Sequence, residues 1–336
     1  MVAAGLEPLS GHQVADEYVI GMDLGGTKLL AGLVDREGVV VERKVRATDT
    51  SNEDAVLAQI EVAVEELVND DVVGIALGVP SLIDQRTGRA ESSVNIPLEG
   101  VDLRDRIAER VGLPVTIEND ANAAAVAEHA LGAGRGSDHM LMLTLGTGVG
   151  GGLILNGKLY RGFTGGAGEL GHMTINFDGP PCQGTCPGIG HLEAYASGTA
   201  AELLARETAS ERPDGDLGRA AAAGKDIDAK LAVELAAAAA GDAREVIERV
   251  GSRLGVGIAS YVNIFNPEVV VVGGGFARAG RFLLEPARKV VAETALAPAR
   301  DQVRIELAVL GVEAGLIGAG LVGFQAAEAP SSRQDG

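Results

Sequence analysis

Two related stretches of sequence decide the fold, and the first of them, at residues 18–28, reads YVIGMDLGGTK. This apolar run ends in Asp23, two glycines and a lysine, and a second apolar run follows at Leu29–Val34. Residues 139–151 read HMLMLTLGTGVGG and repeat the order of strand, glycine-rich turn and returning strand. This weak internal duplication predicts two related α/β domains that face each other across a cleft.

Both halves also supply helices and a buried strand. The expected elements are a helix capped by Asn52 with an apolar stripe at Leu57, Ile60, Val64, Leu67 and Val68, strands at Val72–Val79, Val115–Ile117 and Val269–Val272, a helix at Ala121–Leu131, and a hairpin turn at Asn156-Gly157. The expected domains are a small one at 18–120 joined by a C-terminal helix at 313–328, a large one at 121–312, and flexible tails at 1–17 and 329–336.

The overall composition excludes several classes of function. The 336 residues suffice for two domains, and the net charge of −19 argues against nucleic-acid binding, which needs a basic face. No apolar stretch approaches the ~20 residues of a membrane span. The first seventeen residues lack the basic start and apolar stretch of a signal peptide, so we expect a cytoplasmic protein. The two cysteines are then expected to be thiols or metal ligands.

The segment Glu118-Asn119-Asp120 closes an apolar strand and opens an alanine-rich helix. An aspartate at a strand end is well placed to act as a general base, with Asn119 beside it for substrate hydroxyls. Asp120 or Asn119 could equally serve as the helix cap. The residues alone leave both interpretations open.

The two glycine-rich turns are candidate phosphate sites, because bare backbone N–H groups allow close approach. The alternative for Asp23–Lys28 is an ordinary hairpin turn with a polar tip. Gly146, Gly148 and Gly151 match the dinucleotide spacing G-x-G-x-x-G, but a strand and a hairpin follow instead of the required helix. Two turns, one in each half, could grip one polyphosphate from both sides.

A metal site is predicted at His172, Cys182, Cys186 and His191. The chain has only two cysteines and five histidines, and these four residues fall within one glycine- and proline-rich loop. A tetrahedral zinc ion would give this loop the order that its few apolar residues cannot supply. The alternative is two buried thiols and two surface histidines.

In their order along the chain, these motifs resemble the ROK family of sugar kinases and transcriptional repressors, within the actin-like ATPase superfamily. The matching segments are Asp23–Lys28, Glu118–Asn122, Leu145–Gly151, Gly168–His172, Leu192–Gly198, Asn263–Glu268 and Gly273–Gly275. The resemblance runs from about Tyr18 to Phe324. It implies a two-domain, ribonuclease H-like α/β fold with the active site in the cleft.

Two features depart from the family pattern. The family typically has C-x-C-G-x-x-G-C-L-E, whereas here Cys182 and Cys186 are three residues apart and His191 stands in place of the last cysteine. Histidine also binds zinc, so the expected site is His2Cys2. Family repressors carry an N-terminal helix-turn-helix domain, and the seventeen residues before Tyr18 are too few for one, which favours the kinase branch.

The resemblance implies ATP-dependent phosphorylation of a hexose at its 6-hydroxyl, with glucose as the expected sugar. Asp120 would be the catalytic base, and the expected sugar ligands are Asn95, Asn119, Asp120, Glu169, His172 and Glu193. Asp23 would hold Mg²⁺. The expected nucleotide site comprises Asp23, Gly25, Gly26, Thr27, Lys28, Thr144, Gly146, Thr147, Gly148, Gly273, Gly274 and Gly275.

Three alternatives remain. An N-acylhexosamine kinase would share every motif. A sugar-sensing regulator without activity would share the fold, but intact Asp120 and Lys28 argue against it. A nicotinamide-dependent oxidoreductase is disfavoured because no helix is expected after Gly151. We also expect a homodimer or larger homo-oligomer with no nucleic-acid or membrane partner.

Overall fold

The computed structural model describes residues 17–93 and 96–328. The predicted tails, apart from Glu17, lie outside these residues, and so does the predicted sugar ligand Asn95. The first half of the chain contains β1 (Tyr18–Leu24), β2 (Lys28–Val34), β3 (Val40–Ala47), α1 (Glu53–Leu67), β4 (Val72–Val79), β5 (Ser81–Asp84), β6 (Arg89–Ser93), α2 (Leu103–Val111), β7 (Val115–Asn119) and α3 (Asp120–Leu131).

The first sheet has the strand order β3-β2-β1-β4-β7, in which β1, β4 and β7 run parallel and β2 and β3 return antiparallel. Helix α1 begins as predicted, because the side chain of Asn52 accepts a hydrogen bond from the backbone N–H of Ala55. Four of the five predicted stripe residues are buried. The fifth, Val68, is 46% exposed because the helix ends at Leu67, so its assignment to the stripe is wrong.

The second half repeats this plan with β8 (Met140–Leu145), β9 (Val149–Leu155), β10 (Lys158–Leu159), α4 (Glu193–Ala196), α5 (Gly198–Glu211), α6 (Asp216–Ala222), α7 (Ala229–Ala238), α8 (Asp242–Phe265), β11 (Val269–Gly273), α9 (Arg281–Thr294), α10 (Ala299–Gln302), β12 (Arg304–Leu307) and α11 (Ala314–Glu328). Its sheet has the order β10-β9-β8-β11-β12, with β8, β11 and β12 parallel. The hairpin predicted at Asn156-Gly157 is confirmed, since both residues have positive φ and join β9 to β10. The fold is therefore the predicted α/β type, with two mixed five-stranded sheets.

Helices α3 and α11 form a layer shared by the two sheets. Their apolar residues join Leu30 and Val34 of the first sheet and Met142 and Val271 of the second in one buried cluster. The two helices cross closely at Gly318, which has no side chain. A Cβ at this position would lie 1.7 Å from the carbonyl oxygen of Ala123. Since α3 contacts strands of both sheets, the division of the chain at residue 120 stays a prediction. The C-terminal helix α11 packs on strands β1 and β4 of the first sheet.

Among residues 17–93 and 96–328, no helix is long and apolar enough to cross a membrane.

Candidate active site

The carboxyl ends of the parallel strands of the first sheet bring two acidic side chains together. Asp23 near the end of β1 pairs with Gly78 of β4, and Gly78 pairs with Glu118 of β7. A Cβ on Gly78 would lie 3.6 Å from the Cα of Asp120. Because Gly78 has no side chain, the carboxylates of Asp23 and Asp120 approach closely enough for the charge of one to alter the pKa of the other.

The structure distinguishes the roles of Asn119 and Asp120 at the start of α3. The Oδ1 atom of Asn119 accepts hydrogen bonds from the backbone N–H groups of Ala121 at 3.0 Å and Asn122 at 3.1 Å, so Asn119 is the N-cap. Asp120 is the first helical residue and accepts a 2.8 Å bond from the same N–H of Ala121. The helix therefore does not depend on Asp120 for its cap. The side-chain amide nitrogen of Asn119 donates a hydrogen bond of 3.4 Å to the carbonyl oxygen of Ser81.

The electrostatics of the two aspartates suit acid–base chemistry near neutral pH. The pKa of Asp120 is raised to about 7, first by burial and then by the negative charges of Asp23 and Glu169, against the opposing N–H of Ala121. Burial likewise raises the pKa of Asp23 to about 6, and the nearby ammonium group of Lys28 lowers it in part. A carboxylate with its pKa near the working pH is the form that an efficient general base takes.

The first glycine-rich turn, at residues 25–28, presents backbone to the solvent beside Asp23. The N–H of Gly25 donates to the carbonyl oxygen of Lys28 at 2.9 Å, and the hydroxyl of Thr48 donates to the carbonyl of Gly25 at 2.7 Å. Thr27 and Lys28 are exposed. No sequence pattern points to Thr48, because only the pairing of β2 with β3 brings this residue to the turn.

The second glycine-rich turn lies at the corresponding end of the second sheet. Thr144 pairs with Gly273 of β11, so the turn at residues 146–148 and the segment 273–275 are neighbours. Gly274 adopts φ of +87°, and a Cβ there would lie 2.3 Å from the carbonyl oxygen of Leu145. A larger residue could not occupy this crossing. The structure thus brings together all the predicted phosphate-binding residues of the second half.

The third glycine of the G-x-G-x-x-G spacing serves packing. A Cβ on Gly151 would lie 2.4 Å from the carbonyl oxygen of Gly168, and one on Gly150 would lie 3.0 Å from the Cβ of Ala121. These glycines let β9 lie against the start of α3 and against the segment 168–172. The strand that follows the turn confirms that this is not a dinucleotide fingerprint.

Three of the predicted sugar ligands form one group beside Asp120. The Nε2 atom of His172 lies 3.7 Å from the Oε2 atom of Glu169. Burial raises the pKa of Glu169 and the negative charge of Glu193 raises it further, whereas the electrostatic interaction with His172 lowers it. Glu193 accepts a 2.8 Å hydrogen bond from the backbone N–H of Val149, so this glutamate also supports the second glycine-rich turn.

The four predicted metal ligands converge on one point, with all their ligand atoms within 4.8 Å of one another. The Nδ1 atoms of the two histidines are 3.4 Å apart, and the sulfur atoms of Cys182 and Cys186 lie 3.6 and 3.5 Å from the Nδ1 atoms of His172 and His191. Zn–N and Zn–S bonds of about 2.0–2.3 Å place tetrahedral ligand atoms about 3.3–3.8 Å apart, so the cluster fits zinc. Since its Nδ1 atom faces the cluster, His172 turns Nε2 towards Glu169.

A cavity of about 380 Å³ lies at the opposite end of the first sheet, lined by residues that include Val73, Pro114 and Ala327. It contains none of the predicted site residues. Its lining is mostly aliphatic side chains and backbone, with Arg104 as its one charged side chain and no carboxylate or histidine, so it offers no general base.

Comparison with known proteins shows the family to which the chain belongs. A sequence model of the ROK family matches residues 19–324. Glucokinases from Halalkalibacterium halodurans and Thermotoga maritima are 35% and 36% identical, covering 91% and 90% of this chain and 95% of each relative. A solved ROK family glucokinase from Streptomyces griseus, in complex with glucose and AMPPNP, superposes with a TM-score of 0.80 at 34% identity, over 92% of this chain and 99% of its own. A xylose repressor from Bacillus subtilis, 30% identical, also matches over 82% of this chain and 68% of its own length.

Proposed function

The chain belongs to the ROK family, and on that premise we propose that it is a kinase that transfers the γ-phosphoryl group of ATP to the 6-hydroxyl of glucose. The observation that carries this proposal is the position of Asp120. It lies between Asp23, beside the first phosphate turn, and Glu169, beside His172, and both carboxylates raise its pKa. A base in this position can reach a sugar hydroxyl on one side and a phosphate on the other.

In the proposed mechanism, Asp120 accepts the proton of O6 as that oxygen attacks the γ-phosphorus. Asn119, Glu169, His172 and Glu193 hold the other hydroxyls of the sugar, together with Asn95. The turns at 25–28 and 146–148 hold phosphate oxygens through backbone N–H groups. Most of the acceleration would come from positioning and charge neutralisation, as in phosphoryl transfer generally.

Asp23 is the residue that would hold Mg²⁺, through a water molecule. The bound ion would neutralise charge on the phosphates. Lys28 is placed to do the same, since it is exposed and close enough to Asp23 to lower its pKa. The zinc ligands would act on the sugar indirectly, by fixing the ring of His172 so that Nε2 meets a hydroxyl.

Two other functions within the family predict different results in one assay. ADP release should be measured with ATP and a panel of glucose, mannose, N-acetylmannosamine and N-acetylglucosamine, with polyphosphate as a second donor. Turnover that is most efficient with glucose supports the proposal. More efficient turnover of an N-acylhexosamine would make the chain an N-acylhexosamine kinase, and binding of sugar with no turnover of any member would make it a regulator.

Glu193 offers a sharper test of the sugar. Its carboxylate can accept hydrogen bonds from hydroxyls at C1 and C2, and each such charge-assisted bond contributes about 1.5–3 kcal/mol, or roughly ten- to a hundred-fold in kcat/KM. We therefore expect 2-deoxyglucose to be a poorer substrate than glucose, and Glu193→Gln to narrow that difference. If the ratio of kcat/KM for glucose to that for 2-deoxyglucose is unchanged in Glu193→Gln, then Glu193 does not contact the 2-hydroxyl of the sugar.

A further inference from the structure

One loop of the second half forms hydrogen bonds with the first half close to Asp120, the candidate base. Residues 161–166, which we call the strap, connect β10 to the sugar-side segment 168–172. The backbone N–H of Gln85 donates to the carbonyl of Thr164 at 2.8 Å. Gly165 adopts φ of +115° and packs on the β5–β6 hairpin, where a Cβ would lie 2.2 Å from the carbonyl oxygen of Ile83.

The strap also supplies a cation to a buried carboxylate. The Nε atom of Arg161 donates to the Oε2 atom of Glu118 at 2.6 Å, and the side chain of Glu118 is only 1% exposed. Among residues 17–93 and 96–328, Arg161 is the one basic side chain in an ion pair with Glu118. Removing only one partner of such a pair destabilises the fold, because the remaining charge stays buried without its partner.

The other carboxylate oxygen of Glu118 holds the segment that carries the base. Its Oε1 atom accepts hydrogen bonds from the backbone N–H of Asn119 at 3.0 Å and from the side-chain amide of Asn122 at 2.9 Å. These two residues flank Asp120, since Asn119 is the N-cap of α3 and Asn122 lies in its first turn. The amide of Gln85 lies 3.4 Å from the same oxygen.

We propose that Arg161 is a positioning residue for the phosphoryl transfer: through Glu118, it sets the place of Asn119 and Asp120 relative to the sugar-side segment 168–172. This inference rests on the proposed function. The strap leads directly into that segment, and the guanidinium group of Arg161 binds the carboxylate of Glu118, which holds the residues on either side of Asp120. The ion pair therefore fixes the distance between the base and the hydroxyl that it must deprotonate.

The test compares Arg161→Ala with the wild type at a temperature at which both are folded, as judged by circular dichroism. A misplacement of the order of 1 Å can cost about a hundredfold, so we expect kcat with glucose to fall about 10- to 100-fold. The KM for ATP should change by less than about threefold, because its proposed ligands lie outside the network of Glu118. Arg161→Lys should recover only part of the loss, since lysine lacks the planar fork of arginine.

A compensating variant separates positioning from mere stability. Glu118→Gln keeps an oxygen for the N–H of Asn119 and removes the charge that Arg161→Ala leaves unpaired. The double variant should therefore recover the melting temperature lost in Arg161→Ala, whereas its kcat should stay within about twofold of that of Arg161→Ala because the link from the strap to residue 118 is still missing. Recovery of kcat to the wild-type level in the double variant would mean that Arg161 acts only through stability and would overturn the proposal.

Arg86 provides the matched control. Its guanidinium carbon lies 5.3 Å from the ring centre of Phe163 in the strap, and it pairs with Asp84, but it does not contact Glu118. Arg86→Ala should leave kcat within about twofold of the wild type, because the side chain of Arg86 is 58% exposed and its partner is Asp84, not Glu118. Equal losses in Arg86→Ala and Arg161→Ala, or a kcat of Arg161→Ala within about twofold of the wild type, would overturn the proposal. Failure of the wild type to phosphorylate any sugar would instead overturn the proposed function.

Discussion

The two sheets have the same strand order and opposite chemical character at their carboxyl ends. In each, a central strand pairs with an antiparallel neighbour on one side and a parallel one on the other, and a glycine-rich turn follows it. Asp23 and Thr144 are the last residues but one of their strands. Each of them pairs with a glycine in the parallel neighbour, Gly78 and Gly273 respectively.

The two sheets differ in the groups that pack against these glycines. Gly78 lets the carboxylates of Asp23 and Asp120 approach. Burial raises the pKa of both groups, and the charge of Asp23 raises that of Asp120 further. Gly273 and Gly274 instead bring backbone against Thr144 and Leu145, with no carboxylate at the corresponding place. At the corresponding strand ends, therefore, the first half supplies the carboxylate of Asp23 and the second half supplies the neutral hydroxyl of Thr144.

The largest effect should come from removing the base. Asp120→Asn keeps the size and the hydrogen bond to the N–H of Ala121, but it cannot accept a proton. We expect turnover to fall by about 10²–10⁴, the usual contribution of a general base, with sugar binding largely kept. Steady-state kinetics with glucose and ATP measures this. Turnover at the wild-type level would mean that Asp120 serves only the start of α3.

Thermal unfolding at pH 8 is the control for that variant. The pKa of Asp120 is raised in the folded protein to about 7, from an unfolded value near 3.8. The folded state therefore binds more protons between these values, and the stability contributed by the neutral carboxyl is lost as the pH rises towards 7. Asp120→Asn escapes this loss, so its melting temperature at pH 8 should equal or exceed that of the wild type. A lower value would mean that the variant loses activity through instability.

The comparison of the two sheets is tested most directly at Asp23 and Thr144. Asp23→Asn removes the charge proposed to hold Mg²⁺, and we expect kcat/KM to fall by about a hundredfold, equivalent to roughly 3 kcal/mol. Thr144→Val removes one neutral hydroxyl, which contributes about 0.5–1.5 kcal/mol, so the loss should stay near tenfold or less. Equal losses of kcat/KM in the two variants would show that Asp23 and Thr144 contribute equally to catalysis.

Much of this frame can be predicted from the sequence, because it depends on local patterns. The two glycine-rich turns, the Asn52 cap and the spacing of the metal ligands are all readable within short windows. The β5–β6 hairpin is not, since the polar stretch Arg89–Ser93 lacks the alternation of a half-buried strand. The roles of Asn119 and Asp120 were also undecidable, because both residue types are good caps and only the folded geometry selects one.

The Glu118–Arg161 pair shows the same limit over a longer distance. The two residues are 43 positions apart, in different halves, and neither belongs to a periodic pattern. A glutamate inside an apolar strand was the one available signal, since a buried carboxylate requires a partner. Its partner could be found only from the contact of the strap with the first half.

A smaller effect is expected from the metal cluster, which has no counterpart among the described residues of the first half. Elemental analysis of protein purified without chelator should find about one zinc ion per chain, from the four-ligand geometry. Cys186→Ser should lower the zinc content and raise the KM for glucose about tenfold, because His172 loses its fixed orientation. The matched control is His139→Ala, a histidine outside the cluster. Unchanged zinc content in Cys186→Ser would exclude this cysteine as a ligand.

The smallest change should appear in the pH dependence of kcat/KM, which reports the free enzyme. Because the pKa of Asp120 is about 7 and the ionised form is the active one, kcat/KM should rise about tenfold between pH 6 and pH 8. The carboxylates of Asp23 and Glu169 both raise that pKa, so Asp23→Asn should move the inflection to lower pH. Thr144→Val, which removes no charge, should leave the inflection in place. If the two variants shift the profile equally, or if neither does, then the charge at the end of β1 does not act on Asp120, and the proposed contrast between the two sheets would rest on Mg²⁺ binding alone.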